Sequence, residues 1–223
     1  MPNKRKRALL IFARKPVPGM VKTRLVPMLS PDQAARLYDC MLADVLARTA
    51  VDPQFDRFLF YEDVYGAKDY FGRMAGIISL PQQGKDLGER MLAAFRAVLA
   101  LEYTVAVVIG SDAPDLPTHF IVSAFDVLES GACEVVFGPC EDGGYYLLGM
   151  KSLYPALFRN VPWSSDKVLV VSLERAKVGG IEACLLPVWH DVDKAADLER
   201  PDLLDERNGA RCTREFLTKL KMT

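Results

Sequence analysis

The feature that most constrains the fold is an apolar run at residues 105–109, which is followed by a glycine, an acid and a proline-bounded loop. Residues 105–117 read VAVVIGSDAPDLP. A β-branched run that Gly110 stops indicates a buried strand. Asp112 then stands at a carboxyl end, where open α/β sheets bind their ligands, and its oxygens suit a divalent cation. The alternative is a helix cap, for which Asp115 is the better candidate because it lies nearer to the helix expected from Thr118.

Strand and helix signals alternate along the chain. Ser30, Pro31 and Gln33 form a capping-box pattern that begins the first helix. The alternation predicts an α/β fold with one mixed, mostly parallel sheet and helices on both faces. The gap between Gly138 and Tyr145 has no room for a crossover helix, so one strand there should run antiparallel. Strands are predicted at residues 8–13, 55–61, 76–80, 105–110, 134–138, 145–150 and 181–188, and helices at 31–50, 87–99, 118–129, 166–177 and from Asp193 onward.

Composition excludes several classes of protein. The 223 residues carry a formal net charge of −1, which gives no bias toward nucleic acid. No stretch approaches the roughly 20 apolar residues of a membrane span, and the basic residues 4–7 are followed by too short an apolar run for a signal peptide. We therefore expect a cytoplasmic protein made of a single domain over residues 1–223, with residues 1–7 as a flexible basic lead-in. The five cysteines contain no Cys-x-x-Cys pair, and we expect reduced, buried thiols.

A basic loop follows the first strand. Arg14, Lys15, Lys22 and Arg24 fall within eleven residues, on a loop that Pro16 and Pro18 stiffen. Arginine forks and lysine point charges suit phosphate oxygens, so the loop is a candidate anion site, although charge runs are also typical of solvated surfaces. The segment is not a P-loop, because the glycine before Lys22 is missing, and no Gly-x-Gly-x-x-Gly is present.

Taken together, six ordered motifs resemble a known family. They are FARKPVPGMVKTRL at residues 12–25, GKDLGERM at 84–91, GSDAPDL at 110–116, GPCEDGGYY at 138–146, PWSS at 162–165 and DVD at 191–193. The chain resembles, over nearly its whole length, the bacterial glycosyltransferases called selenodomain-associated or arsenosugar-biosynthesis type. That family belongs to the nucleotide-diphospho-sugar transferase superfamily, which has the GT-A fold. A more distant similarity is to nucleotidylyltransferases such as the 2-phospholactate and molybdenum-cofactor guanylyltransferases.

The resemblance implies a metal site and a nucleotide site. Asp112 and Asp193 would bind Mg²⁺ or Mn²⁺ with phosphate oxygens and water, and Asp191 is a third candidate ligand. Asp193 could instead cap a helix, and Lys194 begins a segment that departs from the Thr-Pro-Glu usual in the family. The implied nucleotide-binding residues are Phe12 and Ala13 at the base, Arg14, Lys15, Lys22 and Arg24 at the phosphates, and Gly84, Asp86 and Arg90. For the last three, a loop glycine, a helix cap and a surface pair with Asp86 are the structural alternatives.

The resemblance also implies an acceptor side. Glu141 or Asp142 would deprotonate an acceptor hydroxyl, and the sugar or acceptor pocket would contain Gly143, Gly144, Tyr145, Trp163 and Ser164. The structural alternatives are an ordinary hairpin turn at Asp142-Gly143 and a buried aromatic at Trp163.

Three functions are compatible with these residues. The first is a metal-dependent glycosyltransferase that uses a nucleotide-diphospho-sugar and a small-molecule acceptor. The second is a nucleotidylyltransferase that joins a nucleoside triphosphate to a phosphate or acid acceptor and releases pyrophosphate. The absence of Asp-x-Asp after residue 110 favours the second, whereas the motif at residues 141–145 and the family likeness favour the first. The third is a nucleotide-binding module without turnover. Nucleic-acid and membrane-spanning roles are not expected, and the sequence leaves the oligomeric state open.

Overall fold

The computed structural model describes residues 6–26, 28–52 and 54–221. A seven-stranded sheet with strand order β3-β2-β1-β4-β6-β5-β7 forms its centre. The strands are β1 (Arg7–Ala13), β2 (Asp56–Tyr61), β3 (Ile78–Pro81), β4 (Val105–Ile109), β5 (Val135–Pro139), β6 (Tyr145–Met150) and β7 (Ala183–Leu185). The helices are α1 (Pro31–Ala50), α2 (Ala67–Phe71), α3 (Leu87–Leu99), α4 (Thr118–Ser130), α5 (Val168–Val178), α6 (Pro201–Leu204) and α7 (Arg211–Lys221).

One strand runs against the others, as the short gap after Gly138 predicts. β6 is antiparallel to both β4 and β5, whereas β1 pairs in parallel with β2 and β4. The amino end of β6 therefore lies at the same edge of the sheet as the carboxyl ends of β1, β2 and β4. This reversal brings the turn before Tyr145 to the edge where the motifs of the other strands end.

Helices cover both faces of the sheet, which confirms the predicted fold class. Side chains alternate along β1, so that Leu9 and Ile11 pack with residues of α1 and α4 on one face. Ala8 and Leu10 pack with residues of α3 and α5 on the other face. The inner strands β4, β5 and β6 are almost wholly buried because a sheet covered on both faces has no solvent side, whereas the edge strands β3 and β7 are partly exposed.

The capping box of α1 is present. Ser30 accepts a hydrogen bond from the Gln33 backbone N–H at 3.2 Å, and its own N–H donates to Gln33 Oε1 at 2.8 Å. In the described residues no helix has the length and apolar character needed to cross a membrane.

Several predicted boundaries are wrong. β7 contains three residues rather than eight, and the segment after Asp193 is a 3-10 helix at Ala195–Glu199. Asp115 does not cap α4, which begins after Pro117 without a side-chain cap. Asp115 is instead fully buried, and its Oδ2 lies 3.3 Å from Arg200 Nη2. The helices α2 and α7 were not predicted.

Arg7 lies in β1 and not in a flexible lead-in. Its Nη2 lies 2.6 Å from Asp126 Oδ1 and 2.9 Å from Glu129 Oε2, so α4 holds the start of the strand. Residues 1–5 of the predicted lead-in lie outside the described residues.

The expectation that all five cysteines are reduced is also wrong. Cys40 of α1 and Cys212 of α7 form a disulfide across 172 positions of sequence. The bond joins the first helix to the last, and spacing alone gave no sign of it. Asp44, one turn after Cys40, accepts hydrogen bonds from the backbone N–H groups of Cys212 and Thr213 at 2.9 and 2.8 Å. Cys133, Cys140 and Cys184 are free thiols, as expected.

Candidate active site

A cavity of about 870 Å³ opens where the carboxyl ends of β1, β2 and β4 meet the amino end of β6. It brings together residues that are spread over most of the chain. Lys15, Gly84, Glu141 and Gly143 lie outside its lining. The candidate residues that line the cavity are Phe12, Ala13, Arg14, Lys22, Arg24, Asp86, Arg90, Asp112, Asp142, Gly144, Tyr145, Trp163, Ser164, Asp191 and Asp193.

The centre of the site is a lysine held between two carboxylates. Lys22 Nζ lies 2.5 Å from Asp112 Oδ1 and 2.7 Å from Asp193 Oδ1. The lysine side chain is 5% exposed, whereas the two aspartates are 41% and 36% exposed. Burial lowers the pKa of Lys22, but the two carboxylates outweigh it and raise the pKa above its usual value. The ammonium is therefore charged at neutral pH, and it occupies the point at which both carboxylates aim.

The backbone sets the spacing of these two aspartates. Val192, next to Asp193, donates its N–H to the Asp112 carbonyl at 2.8 Å. The carboxylate of Asp193 is not a helix cap, because the 3-10 helix that follows has Lys194 at its N-cap position. The Asp193 N–H donates to Asp197 Oδ2 at 2.8 Å. Burial raises the pKa of Asp193, but Lys22 reverses this effect and the net shift is downward. Asp193 is thus held as an anion beside the cavity.

Asp191 has a different environment from Asp193. Its Oδ2 lies 3.6 Å from the sulfur of Cys140, which is buried. Burial, followed by the nearby charge of Asp112, raises the pKa of Asp191 to about 7. Burial likewise raises the pKa of the Cys140 thiol, which keeps it protonated. Among residues 6–26, 28–52 and 54–221, no three His, Cys, Asp or Glu side chains are arranged to hold a metal ion.

The donor set nevertheless suits a divalent cation that shares its coordination with substrate. Asp112 and Asp193 supply hard oxygen ligands directed at one point, and that point already holds a positive charge. Mg²⁺ in such sites is bound through one or two carboxylates and completes its shell with water and phosphate oxygens. Two convergent aspartates therefore fit the ion that the fold implies.

Glu62, which the sequence analysis did not single out, organises two of the cavity's arginines. Its Oε2 lies 3.3 Å from Arg14 Nε, and its Oε1 lies 3.1 Å from Arg90 Nη1. Arg90 also donates from Nε to the Gly84 carbonyl at 3.3 Å and is not paired with Asp86. The only sequence signal for Glu62 was its position directly after β2.

A buried pair of hydroxyl groups supports the basic loop. The Tyr38 and Ser111 hydroxyls lie 2.7 Å apart, and the Arg14 N–H donates to the Tyr38 hydroxyl at 2.8 Å. Burial and the charge of Asp112 raise the pKa of Tyr38 to about 12. Because Tyr38 belongs to α1, this network connects the loop after β1 to the loop after β4.

The start of α3 forms another wall. Asp86 is the helix cap and accepts from the Glu89 N–H at 2.8 Å. Gly84 has φ +141°, and an added Cβ would lie 2.7 Å from the Arg90 nitrogen, so the chain packs tightly there. An added Cβ at Gly88 would lie 2.6 Å from the Trp163 ring, so the indole lies directly on the helix start.

The acidic motif forms the hairpin between β5 and β6. Gly143 has φ +86°, and an added Cβ would lie 2.0 Å from the Asp166 carbonyl oxygen, so only glycine fits. Asp142 Oδ1 accepts from the Gly144 N–H at 2.9 Å, and Asp142 lines the cavity. Glu141 is 71% exposed, and its Oε1 lies 3.7 Å from His190 Nδ1. Of the two candidate bases, Asp142 is the one at the cavity. Lys15 also points elsewhere, since its Nζ donates to the Tyr65 carbonyl at 3.1 Å.

Comparison with solved structures gives the class of fold. A candidate nucleotide-diphospho-sugar transferase from Desulfovibrio desulfuricans G20 is 29% identical, with a TM-score of 0.86 over 97% of this chain and 95% of that chain. CMP:2-keto-3-deoxy-manno-octonic acid synthetase in complex with CTP is 13% identical, with a TM-score of 0.54 over 91% and 99%. Rv0371c of Mycobacterium tuberculosis H37Rv in complex with manganese is 18% identical, with a TM-score of 0.50 over 86% and 95%. The chain has the nucleotide-diphospho-sugar transferase-like fold.

The sequence also places the chain in a family. It belongs to the DUF2064 family, described as an uncharacterized protein conserved in bacteria, whose model matches residues 45–165. The matched segment contains Glu62, the start of α3, Asp112 and the acidic hairpin. No curated protein matches the chain by sequence.

Proposed function

We propose that the chain is a divalent-metal-dependent transferase that uses a nucleotide-activated donor, with a nucleotide-diphospho-sugar as the favoured donor. The observation that carries the proposal is the convergence of Asp112 and Asp193 on one cationic point at the floor of the cavity. The likeness to the D. desulfuricans protein over 97% of the chain supports the choice of donor. Within this class, the selenodomain-associated or arsenosugar-type family remains a prediction from the motifs.

In this proposal Asp112 and Asp193 hold the metal ion, which supplies positive charge to the phosphates of the donor. Arg14, Lys22 and Arg24 line the same cavity and bind the remaining phosphate oxygens. Such preorganised charges stabilise the negative charge that develops on a departing nucleoside diphosphate. Phe12 and Ala13 lie against the base, and Trp163 forms the apolar wall beside them.

Asp142 is the proposed general base for the acceptor hydroxyl. It lines the cavity, whereas Glu141 lies outside the lining with its Oε1 3.7 Å from His190 Nδ1. The Gly144 N–H fixes one of its carboxylate oxygens at 2.9 Å, which orients the group. Gly144, Tyr145 and Ser164 complete this side of the pocket.

Nucleotidyl transfer is the second candidate function, and the cationic residues of the cavity that form no ion pair support it. Arg24, Lys85 and Lys194 line the cavity and form no ion pair with any residue in the described ranges. Arg24 and Lys194 act electrostatically on Asp193, and cations at this position are available to a polyphosphate. In that reaction an anionic acceptor would attack the α-phosphorus and pyrophosphate would leave.

The test is a thermal-shift panel of the four ribonucleoside triphosphates and their diphospho-sugars, with and without Mg²⁺ or Mn²⁺. A ligand at 100 times its dissociation constant adds ~2.7 kcal/mol to the unfolding free energy. We expect a metal-dependent shift in the wild type that Asp112→Asn abolishes and that Asp69→Asn, on the exposed surface of α2, leaves unchanged.

Product analysis then separates the two reactions. Release of a nucleoside diphosphate from a diphospho-sugar supports glycosyl transfer, and release of pyrophosphate from a triphosphate supports nucleotidyl transfer. Binding without either product supports a nucleotide-binding module, and the absence of any shift contradicts all three functions.

A further inference from the structure

The position of Lys22 has a consequence for the order in which ligands bind. We infer that the Lys22 ammonium substitutes for the metal ion between the two carboxylates. The site then binds a divalent cation only together with a polyphosphate, which pairs with the displaced ammonium. The inference rests on the proposed function, since it concerns the same cavity.

The Lys22 ammonium and a metal ion would compete for the same two carboxylates. Lys22 Nζ lies 2.5 and 2.7 Å from the two carboxylates, so the ammonium engages the same Asp112 and Asp193 oxygens that would hold a metal ion. A divalent cation and the ammonium cannot both be held there, because both are positive and both use the same two oxygens. Metal binding therefore requires the lysine side chain to leave.

The displaced ammonium of Lys22 needs a new anionic partner. The Lys22 side chain is almost fully enclosed, and a buried charge without a partner is costly. Glu62, which also lines the cavity, already pairs with Arg14 and Arg90. A phosphate group in the cavity is a partner that lysine recognises well. Phosphate and metal should therefore favour each other's binding.

The exchange requires movement of the Lys22 side chain but not of its backbone. Val21 is buried and packs with Ala35 and Tyr38, and Leu25 is buried in a second cluster. The backbone on both sides of Lys22 is thus fixed, and Lys22 itself has φ +49°. Only the four-carbon side chain has to move, so the exchange needs no rearrangement of the loop.

The experiment measures binding of Mn²⁺ alone, through the electron paramagnetic resonance signal of free Mn²⁺, in wild type, Lys22→Met and Lys68→Met. Lys68 lies on the exposed surface of α2 and is the matched control. Without the competing ammonium, Lys22→Met should bind Mn²⁺ about tenfold more tightly than wild type, within the usual range of such couplings. Lys68→Met should bind it as wild type does. Equal or weaker Mn²⁺ binding by a folded Lys22→Met variant overturns the inference.

A second measurement uses the wild type only, so it holds even if Lys22→Met does not fold. The unfolding midpoint is recorded with Mn²⁺ alone, with each ribonucleoside triphosphate alone, and with both. The inference expects a combined shift that clearly exceeds the sum of the separate shifts, and additive shifts overturn it. Additive binding of metal and nucleotide would leave the proposed function standing, whereas no binding of either would contradict both.

Discussion

Two aspartates three positions apart on the loop after β4 have opposite environments. Asp112 is 41% exposed and faces the cavity, where it contacts Lys22. Asp115 is fully buried behind the cavity, with Arg200 Nη2 3.3 Å from its Oδ2. Burial raises the pKa of Asp115, against the lowering effect of Arg200. The comparison shows that one short loop carries both a partly exposed charge at the cavity and a buried charge that pairs with the C-terminal segment.

The largest expected effect is a loss of unfolding free energy on substitution of Asp115, the buried one of the two aspartates. Asp115→Ala leaves the guanidinium of Arg200 enclosed without its carboxylate, and removal of one partner of a buried ion pair costs about 3–5 kcal/mol. Urea denaturation should show this loss of unfolding free energy. Asp112→Ala is the control and should cost less, because Asp112 is partly exposed and the enclosed ammonium of Lys22 keeps Asp193 as a partner. Equal losses in the two variants would mean that the environments are not different in energy.

The next largest effect is expected on the turnover rate, on substitution of Asp112, the partly exposed aspartate. Asp112→Asn keeps the shape of the side chain but removes the negative charge that the proposed metal ion needs. We expect transferase turnover to fall about 10²–10³-fold, the cost of deleting one preorganised stabilising group, with little change in the unfolding midpoint. Steady-state kinetics on the donor identified by the thermal-shift panel measures it. A fall of less than about threefold would contradict a central role for Asp112.

The Cys40–Cys212 disulfide tests whether the C-terminal segment, like the buried Asp115, contributes to stability. Cys40→Ser releases a cross-link between α1 and α7 that closes a loop over 172 positions. Loss of a cross-link of this kind should lower the unfolding free energy by about 2–4 kcal/mol. Dithiothreitol should destabilise the wild type by the same amount and leave Cys40→Ser unaffected. A wild type that is insensitive to the reductant would contradict a stabilising disulfide.

The smallest effect is expected at Glu62, which lines the cavity and pairs with the exposed Arg14 and the partly buried Arg90. Glu62→Gln removes one negative charge from the cavity wall and should change the unfolding free energy by less than about 1 kcal/mol. It should tighten nucleotide binding several-fold, because Arg14 and Arg90 lose their internal anion. Isothermal titration at low and high salt checks this, and the gain should shrink at high salt. Weaker binding would mean that Glu62 acts by positioning the arginines.

Local signals in the sequence predicted much of the fold. The bounds of α3 and β6 agree with the prediction to the residue, because Asp86 caps one and a Gly-Gly turn precedes the other. The antiparallel direction of β6 followed from the length of a single gap. β7 was predicted too long because its apolar residues continue after the ladder ends, and Leu185 and Val188 are exposed.

The contacts of the site could be predicted less well than its members. The residues Lys22, Asp112 and Asp193 were each singled out, but no spacing shows that a lysine meets two aspartates from the distant loops after β4 and β7. The local pattern predicts a helix cap at Asp115 because it gives no measure of burial. The carboxylate is in fact fully buried, and its partner is Arg200, far along the chain. The Cys40–Cys212 disulfide was missed for the same reason.

The backbone hydrogen bond from Val192 to the Asp112 carbonyl has one more consequence. It holds the Val192 nitrogen 2.8 Å from the Asp112 carbonyl oxygen, so the main chain joins position 112 to the neighbour of position 193 with no contribution from the aspartate side chains. The backbone thus holds these two positions close together whichever side chains they carry. A designer could replace Asp112 and Asp193 with histidines, or with one thiol and one imidazole, and recruit softer metals to the same floor without rebuilding the fold.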